Sequence, residues 1–251
     1  MNTITIRNTT LGDGRPKICI PVTAGTQAEL WEQAEKIAEV PCQMVEWRMD
    51  FFHETRDPNW IWSCLEALRK MLGDRLILAT FRTKEEGGER SISMEEYQEL
   101  NLQAAKSGLA DLIDIELNRG EELVRDLTAK IQALGVKVIG SYHDFEKTPD
   151  QETLINILCK MQELGVDMTK AAVMPQNEKD VLAVLGASVA MKTQYADRPF
   201  LTMSMGPLGG ISRLCGAVTG SAVTFATEGR ASAPGQMDAK MVAQVLNALQ
   251  I

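Results

Sequence analysis

Two side chains of this sequence can together perform proton-transfer chemistry on a carbonyl compound. Lys170 lies in the apolar run TKAAVM, and His143 follows another apolar run in the segment SYHDF. A neutral lysine amine adds to a ketone or aldehyde, and the resulting iminium withdraws electrons from the adjacent carbon. An imidazole is suited to moving the proton that this carbon then loses. The other histidine, His53, falls in the loop DFFHETRDP, where we expect it to be solvated.

The position of Lys170 permits a second interpretation. A lysine at the start of an apolar strand can extend its stem along the protein and bring its amine into water. A catalytic role predicts instead that the amine is buried beside other cations, an arrangement that favours the nucleophilic form. Position alone does not decide between these alternatives.

The elements that must position these residues alternate regularly along the chain. Amphipathic helical stretches separate short apolar runs, as in a parallel sheet with right-handed crossovers. PVTAGT after the first run lacks the glycine fingerprint of a dinucleotide-binding sheet, and 251 residues suit a (β/α)8 TIM barrel. We therefore predict one barrel domain over residues 1–251. Its strands are expected at 17–22, 43–49, 75–81, 111–117, 136–142, 169–174, 199–204 and 222–226, and its helices at 26–39, 60–72, 94–107, 120–134, 151–164, 178–195, 208–218 and 237–249.

The first 15 residues differ from this alternation. TITIRN alternates apolar and polar residues, and Gly12-Asp13-Gly14 resembles a hairpin turn. Ile4 and Ile6 share one face of the first run and need apolar cover. We predict a short β-hairpin that caps the N-terminal end of the barrel.

Barrel enzymes place their sites at the C-terminal ends of the strands, so polar residues there are candidates. Glu46 and Arg48 are two apart on one strand and share a face. Asp114 and Glu116 do the same on another strand. Asp114 and Glu116 either orient Lys170 or form ion pairs deeper in the barrel. Further candidates follow other strands: Arg82, Glu86 in the loop KEEGGER, and Arg213 beyond a glycine-rich loop.

Composition excludes several classes of function. The net charge of -8 argues against a nucleic-acid partner. Five widely spaced cysteines form no CxxC pair, and His and carboxylate residues show no ligand spacing, so we expect no metal and no cofactor. No signal peptide or stretch of about 20 apolar residues is visible, which excludes a membrane anchor and predicts a cytoplasmic enzyme.

Six segments in order resemble the type I 3-dehydroquinate dehydratases. They extend from the second predicted strand to the loop after the eighth, so the resemblance covers nearly the whole chain. Single motifs such as GPLGG would be weak, but six in order at barrel-loop positions are specific. The segments are EWRMD at 46–50, TFRTKEEGGE at 80–89, SYHDFEKTP at 141–149, TKAAVMPQ at 169–176, MSMGPLGGISR at 203–213 and ASAPGQ at 231–236.

The resemblance implies a reaction and a role for each site residue. Lys170 forms a Schiff base with the C3 ketone of 3-dehydroquinate, and His143, paired with Glu86, acts as general acid and base. The product of this syn elimination is 3-dehydroshikimate, an intermediate of aromatic amino acid biosynthesis, and the family suggests a homodimer. Arg213 is expected to bind the substrate carboxylate. The remaining binding residues are expected to be Glu46, Arg48, Arg82, Ser232 and Gln236 around the ring hydroxyls, with Met203, Met205, Phe145 and Phe225 as apolar walls.

Two other functions share parts of this pattern. A class I aldolase also uses a Schiff-base lysine, and the glycines at 206–210 resemble a phosphate cradle. We prefer a loop entering a short helix there, because Arg213 and Gln236 suit a carboxylate and hydroxyls. A barrel that only binds a small acid would not need Lys170, His143 and Glu86 together.

Overall fold

The central sheet is a ring of parallel strands. The computed structural model describes residues 2–55, 59–229 and 231–249, and within them eight parallel strands pair in the order β10–β3–β4–β5–β6–β7–β8–β9. The Ala222 N–H donates to the Phe200 carbonyl at 2.8 Å, which brings the two end strands together and nearly closes the barrel. The strands are β3 (Lys17–Val22), β4 (Met44–Arg48), β5 (Leu76–Thr80), β6 (Leu112–Glu116), β7 (Lys137–Asp144), β8 (Met168–Val173), β9 (Phe200–Ser204) and β10 (Val223–Phe225).

Helices between the strands form the outer layer, as predicted. Side-chain caps define several helix starts: Ser93 and Glu96 form a reciprocal capping box, and Asp150 accepts the Thr153 N–H. The predicted helix 178–195 ends in a turn of π-helix, Met191–Tyr195, and the predicted helix 208–218 is two short helices. The helices are α1 (Gln27–Ala38), α2 (Trp60–Leu72), α3 (Met94–Lys106), α4 (Glu121–Ala133), α5 (Gln151–Glu163), α6 (Glu178–Ala190), α7 (Ile211–Leu214), α8 (Gly216–Thr219) and α9 (Ala239–Ala248).

Alternation along the strands divides the barrel interior into two layers. Outward side chains such as Val45 and Trp47 pack with the helices, whereas Met44 joins an interior apolar cluster. Positions two and four residues further along these strands carry polar groups such as Glu46 and Arg48, which are also buried. The lower layer is therefore apolar, and the upper layer beneath the barrel mouth is charged.

The predicted hairpin is confirmed, but its turn was placed wrongly. Strands β1 (Ile4–Ile6) and β2 (Thr9–Leu11) pair antiparallel, with Ile4 opposite Leu11. The connecting turn is Arg7-Asn8, where Arg7 adopts φ 49°, while Gly12 to Gly14 link β2 to the barrel. The side chain of Leu11 is fully buried in the lower apolar layer, which fixes the register and closes the N-terminal end of the barrel.

Asp111 anchors this hairpin to the barrel. Its carboxylate accepts hydrogen bonds from Arg7 Nε at 2.6 Å, from Arg69 at 2.5 Å and from the Ile77 N–H at 2.8 Å. Arg69 also donates to the Leu109 carbonyl at 2.9 Å, so one cluster joins the hairpin, α2 and β5.

Replacing Asp111 with alanine should destabilise the fold without changing the pocket chemistry. The change leaves the Ile77 N–H without its acceptor and removes the carboxylate that pairs with the Arg69 guanidinium, for a cost of about 2–4 kcal/mol in the free energy of unfolding. Urea unfolding followed by circular dichroism measures this loss. Asp126→Ala, which removes an exposed carboxylate paired with Lys130, is the control and should cost under about 0.5 kcal/mol. Equal midpoints for the two variants would contradict the anchoring role.

Candidate active site

A pocket opens at the carboxyl ends of the barrel strands, where the sequence predicts the site. It brings together all the predicted catalytic residues and all the predicted binding residues except Arg213, which lies beside it. The lining residues are Glu46, Arg48, Arg82, Glu86, Gly87, His143, Phe145, Lys170, Ala172, Met203, Met205, Phe225, Ser232, Ala233 and Gln236.

Lys170 is the third residue of β8 and points into the barrel. Its side chain is only 5% exposed, so the alternative in which its amine reaches water is wrong. Nζ lies 3.7 Å from Asp114 Oδ2, 3.8 Å from Glu46 Oε1 and 4.5 Å from the ring centre of Phe225. The ion-pair partners of Lys170 are thus carboxylates from interior positions of β4 and β6, and the cations Arg48 and Arg82 line the same pocket.

His143 is held by Glu86. Nδ1 lies 2.9 Å from Glu86 Oε2, and the His143 backbone N–H donates to the same oxygen at 3.1 Å. Asn118 Nδ2 donates to the other oxygen, Oε1, at 2.8 Å. These contacts fix the ring and leave Nε2 for chemistry in the pocket. The pair therefore has the geometry of a base and its orienting group.

Burial shifts the pKa values of both partners. Burial, followed by the charges of Arg82 and Lys170, holds the pKa of His143 well below its usual range, so the imidazole is neutral at pH 7. Burial also raises the pKa of Glu86 to about 8, while the Arg82 guanidinium 3.5 Å away opposes that rise. Because the two groups share a contact, they titrate as a unit.

A buried ionic network lies beneath the pocket. Arg82 donates to Asp114 Oδ1 at 2.7 Å and to Glu116 Oε1 at 2.9 Å, and Ser141 Oγ donates to Asp114 Oδ1 at 2.6 Å. Although burial acts in the opposite direction, Arg82 and Lys170 hold the pKa of Asp114 below its usual range. Asp114 thus both faces Lys170 and forms an ion pair in the barrel interior, so both of its predicted roles apply. The recorded ion pairs of Glu116 are with arginines.

Arg213 is a buried cation with spare donors. It donates to the Phe225 carbonyl at 3.4 Å and to the Pro234 carbonyl at 3.0 Å, while its Nε has no partner. Within residues 2–55, 59–229 and 231–249 it forms no ion pair with a carboxylate. Burial lowers its pKa to about 10. A buried guanidinium with an unpartnered Nε and neutral acceptors is suited to binding an anion.

The loop at 231–236 lies over one side of the pocket. Ser232 N–H donates to Gln236 Oε1 at 2.9 Å, and Gly206 N–H donates to the Pro234 carbonyl at 3.1 Å. Gly235 has φ 79°, and a Cβ there would clash with the backbone of Gly206. The close approach of the loop to the end of β9 therefore requires glycine.

Comparison with known proteins identifies the family of this chain. A family model described as type I 3-dehydroquinase matches residues 18–251. The chain belongs to the type I 3-dehydroquinase family. It is accordingly an enzyme of the hydro-lyase class, as the sequence resemblance implies.

Relatives of this 3-dehydroquinase match over their whole length. The 3-dehydroquinate dehydratase of Syntrophotalea carbinolica is 44% identical, covering 100% of this chain and 99% of the relative. That of Clostridioides difficile is 45% identical over 98% of this chain and 96% of its own. A crystal structure of the type I enzyme from Clostridium difficile, with covalently modified comenic acid, superposes with a TM-score of 0.96 at 44% identity, covering 99% of this chain and 98% of that chain.

Asp50 is one residue of the 3-dehydroquinase pocket region to which the sequence analysis gave no role. It is buried and accepts from Arg48 Nε and NH2, both at 2.8 Å. The backbone N–H groups of Arg82 and Glu89 also donate to it. Asp50 thus fixes the Arg48 guanidinium and the start and end of the loop that carries Glu86. Its place in the segment EWRMD was the available signal, but a strand pattern does not reveal this contact.

Gly87 and Asn118 were also missed in the 3-dehydroquinase site. Gly87 has φ 82°, and a Cβ there would overlap the ring of Phe145. Phe145 in turn lies beside His143, with ring centres 6.5 Å apart. Asn118 follows β6 in a short 3-10 turn and reaches Glu86 from there. No sequence pattern at Gly87 or Asn118 predicts these contacts.

Three features of the described part of the chain concern metals, membranes and cysteines. There, no group of three or more His, Cys, Asp or Glu residues is arranged to hold a metal ion. None of the helices described is long and apolar enough to cross a membrane. The five cysteines are free thiols, and Cys19, Cys42 and Cys64 are buried.

Proposed function

We propose that this chain dehydrates 3-dehydroquinate to 3-dehydroshikimate, a step of the shikimate pathway, through a Schiff base on Lys170. The observation that carries this proposal is a buried lysine and a neutral histidine, its side chain only 8% exposed, that line the same pocket. Membership of the type I 3-dehydroquinase family supplies the substrate. The covalent modification in the Clostridium difficile relative fits a nucleophile in this pocket.

The proposed cycle begins at the C3 ketone of the substrate. Nζ of Lys170 adds to C3, and loss of water gives an iminium. His143 removes a proton from C2, the electrons form an enamine, and their return expels the C1 hydroxyl as His143 gives it the proton. Water then adds to the product iminium and releases Lys170. Overall, one substrate molecule becomes one molecule of 3-dehydroshikimate and one of water.

The remaining pocket residues are proposed to bind the substrate. Arg213 takes its carboxylate, because that buried guanidinium has an unpartnered Nε and donates here only to weaker neutral acceptors. The polar groups facing the ring hydroxyls are Glu46, Arg48, Arg82, Ser232 and Gln236, and the apolar walls are Met203, Met205, Phe145 and Phe225.

Borohydride trapping tests the proposal. Incubating the enzyme with 3-dehydroquinate and sodium borohydride should reduce the iminium and leave the ligand on Lys170, located by peptide mass spectrometry. A sample with substrate but no borohydride is the control for non-specific modification. Unmodified Lys170 together with full turnover would refute the Schiff base. Cleavage of a sugar phosphate in place of enone formation would support an aldolase instead.

The Glu86–His143 pair predicts a pH dependence. Above pH 8 the Glu86 carboxylate is ionised and holds a proton on His143 Nδ1, which leaves the Nε2 lone pair free to remove the C2 proton. The value of kcat/KM should therefore rise as the pH increases from about 7 to 9. A pH profile followed by enone absorbance measures this rise. Glu86→Gln, which cannot titrate, should lose that limb. A limb that persists in Glu86→Gln belongs to another group.

We further propose that the enzyme is a homodimer. Leu182 of α6 is 64% exposed, and Ile211 of α7 and Val218 of α8 are about half exposed. Helix α6 contacts both α7 and α8, so the three residues belong to one outer region, and a second copy would bury them symmetrically. Light scattering after gel filtration should give twice the chain mass, and Ile211→Glu should give monomers. A monomeric native enzyme would refute this state.

A cytoplasmic location and a single barrel domain complete the proposal. The five cysteines are unpaired thiols, which suits a reducing compartment. The strands of the barrel lie between residues 17 and 225. Helix α9, which ends at residue 248, packs against β3 of the same barrel. One cooperative unfolding transition is expected from such a domain.

A further inference from the structure

Asp114 is a buried carboxylate to which the proposed cycle assigns no role. Its Oδ1 is saturated, because Ser141 Oγ donates at 2.6 Å and Arg82 donates at 2.7 Å. Its Oδ2 is also buried but accepts no hydrogen bond from the described residues. That free oxygen lies 3.7 Å from Lys170 Nζ. One oxygen is therefore anchored in the network, and the other faces the amine.

We propose that Asp114 is a positioning residue, a fixed counter-ion that stabilises the iminium formed at Lys170 Nζ. This inference rests on the proposed function, because it concerns the nitrogen of the Schiff base. The nitrogen gains a positive charge when water leaves, and a carboxylate already in place needs no reorganisation to stabilise it. Asp114 is fully buried, so the interaction is stronger than it would be in bulk water.

Asp114 suits this role better than the other carboxylate near Lys170. Glu46 Oε1 lies 3.8 Å from Nζ, but Glu46 lines the pocket and also accepts from Thr80 Oγ1 at 3.0 Å. The negative charge of Glu46 therefore also acts on the proposed substrate in the pocket. Asp114 is fully buried below the pocket, and the two hydrogen bonds on Oδ1 prevent the carboxylate from turning away.

Glu116 provides a matched control. It lies two residues further along β6, is also fully buried, and accepts from the same Arg82 guanidinium at 2.9 Å. Its other partners are Thr83 and Arg119. Asp114→Asn and Glu116→Gln thus each remove one negative charge from the same network, but only Asp114 forms a recorded ion pair with Lys170.

The first experiment measures the rate of Schiff-base formation. Enzyme and 3-dehydroquinate are mixed, quenched with borohydride at successive times and analysed for adduct on Lys170. Asp114→Asn should form the adduct about 100-fold more slowly and lose kcat by a similar factor. Its KM should change by less than about threefold, because Asp114 does not line the pocket. Glu116→Gln should retain a rate much nearer the wild type.

A stability cycle covers the case in which Asp114→Asn folds poorly. Lys170→Met leaves Asp114 Oδ2 without its cation, so it should lower the melting temperature. Adding Asp114→Asn should then cost less than the same change costs in the wild type, because its charge is no longer paired. Additive losses would show that the two residues are not coupled and would overturn the counter-ion role.

The outcomes separate this inference from the proposed function. If the wild type yields no adduct on Lys170, the Schiff-base function itself has failed. If the wild type is trapped and Asp114→Asn is trapped as fast as Glu116→Gln, the function stands and the counter-ion role is refuted. Slow trapping in Asp114→Asn alone, with KM preserved, supports it.

Discussion

Lys170→Ala should abolish turnover of 3-dehydroquinate while leaving the barrel folded. The change removes the nucleophile, and no other lysine lines the pocket as the structure describes it. Removing a covalent nucleophile typically costs a factor of about 10⁴ or more in kcat, because the remaining groups act only together with it. Enone formation at high enzyme concentration measures the residual rate, and circular dichroism confirms the fold.

A matched lysine makes the Lys170→Ala result specific. Lys36 lies on the outer surface of α1 and pairs with the exposed Glu32. Lys36→Ala should keep full activity and full borohydride labelling, since an exposed ion pair contributes little. Turnover by Lys170→Ala above about 1% of the wild-type rate would mean that the reaction does not pass through this amine.

His143→Ala should trap the enzyme as a covalent complex. Lys170 can still add to the ketone, but the C2 proton has no base and the iminium has no group to assist its hydrolysis. We expect kcat to fall by about 10²–10⁴ and an adduct to accumulate. Intact-protein mass spectrometry should detect that adduct without borohydride.

The second histidine provides the control for His143→Ala. His53 is exposed, and its backbone N–H donates to the Gly25 carbonyl. His53→Ala should turn over normally and show no stable adduct. If His143→Ala also turned over normally, another group would be the base. If it were slow but showed no adduct, His143 would act before imine formation.

Periodicity predicted much of the fold and the site. Strands alternate with a period of two, so Glu46 and Arg48 could be assigned to one face and Trp47 to the other, as observed. The same rule, with eight strand runs in order, places His143 at the C-terminal end of its strand, whereas Lys170 is the third residue of β8 and lines the pocket from within the barrel. The boundaries of β3, at Lys17–Val22, match the prediction because apolar residues and turn residues change sharply there.

The alternation of side chains along a strand does not predict contacts between residues that are distant in the sequence. Nothing local in the sequence indicates that Asn118 reaches Glu86, 32 positions away. The hairpin turn was misplaced because glycines are the strongest local turn signal. The burial of Leu11, a tertiary effect, decides the register and puts the turn at Arg7-Asn8 instead.

The hairpin side chain that fills the barrel bottom also affects how water moves during the proposed reaction. Because Leu11 closes the N-terminal end, substrate and water exchange through the mouth beside the loop at 231–236. Imine formation releases one water molecule, and hydrolysis of the product imine later needs one. With the far end closed, the water molecule that leaves on imine formation and the one that enters for hydrolysis share the mouth with the substrate.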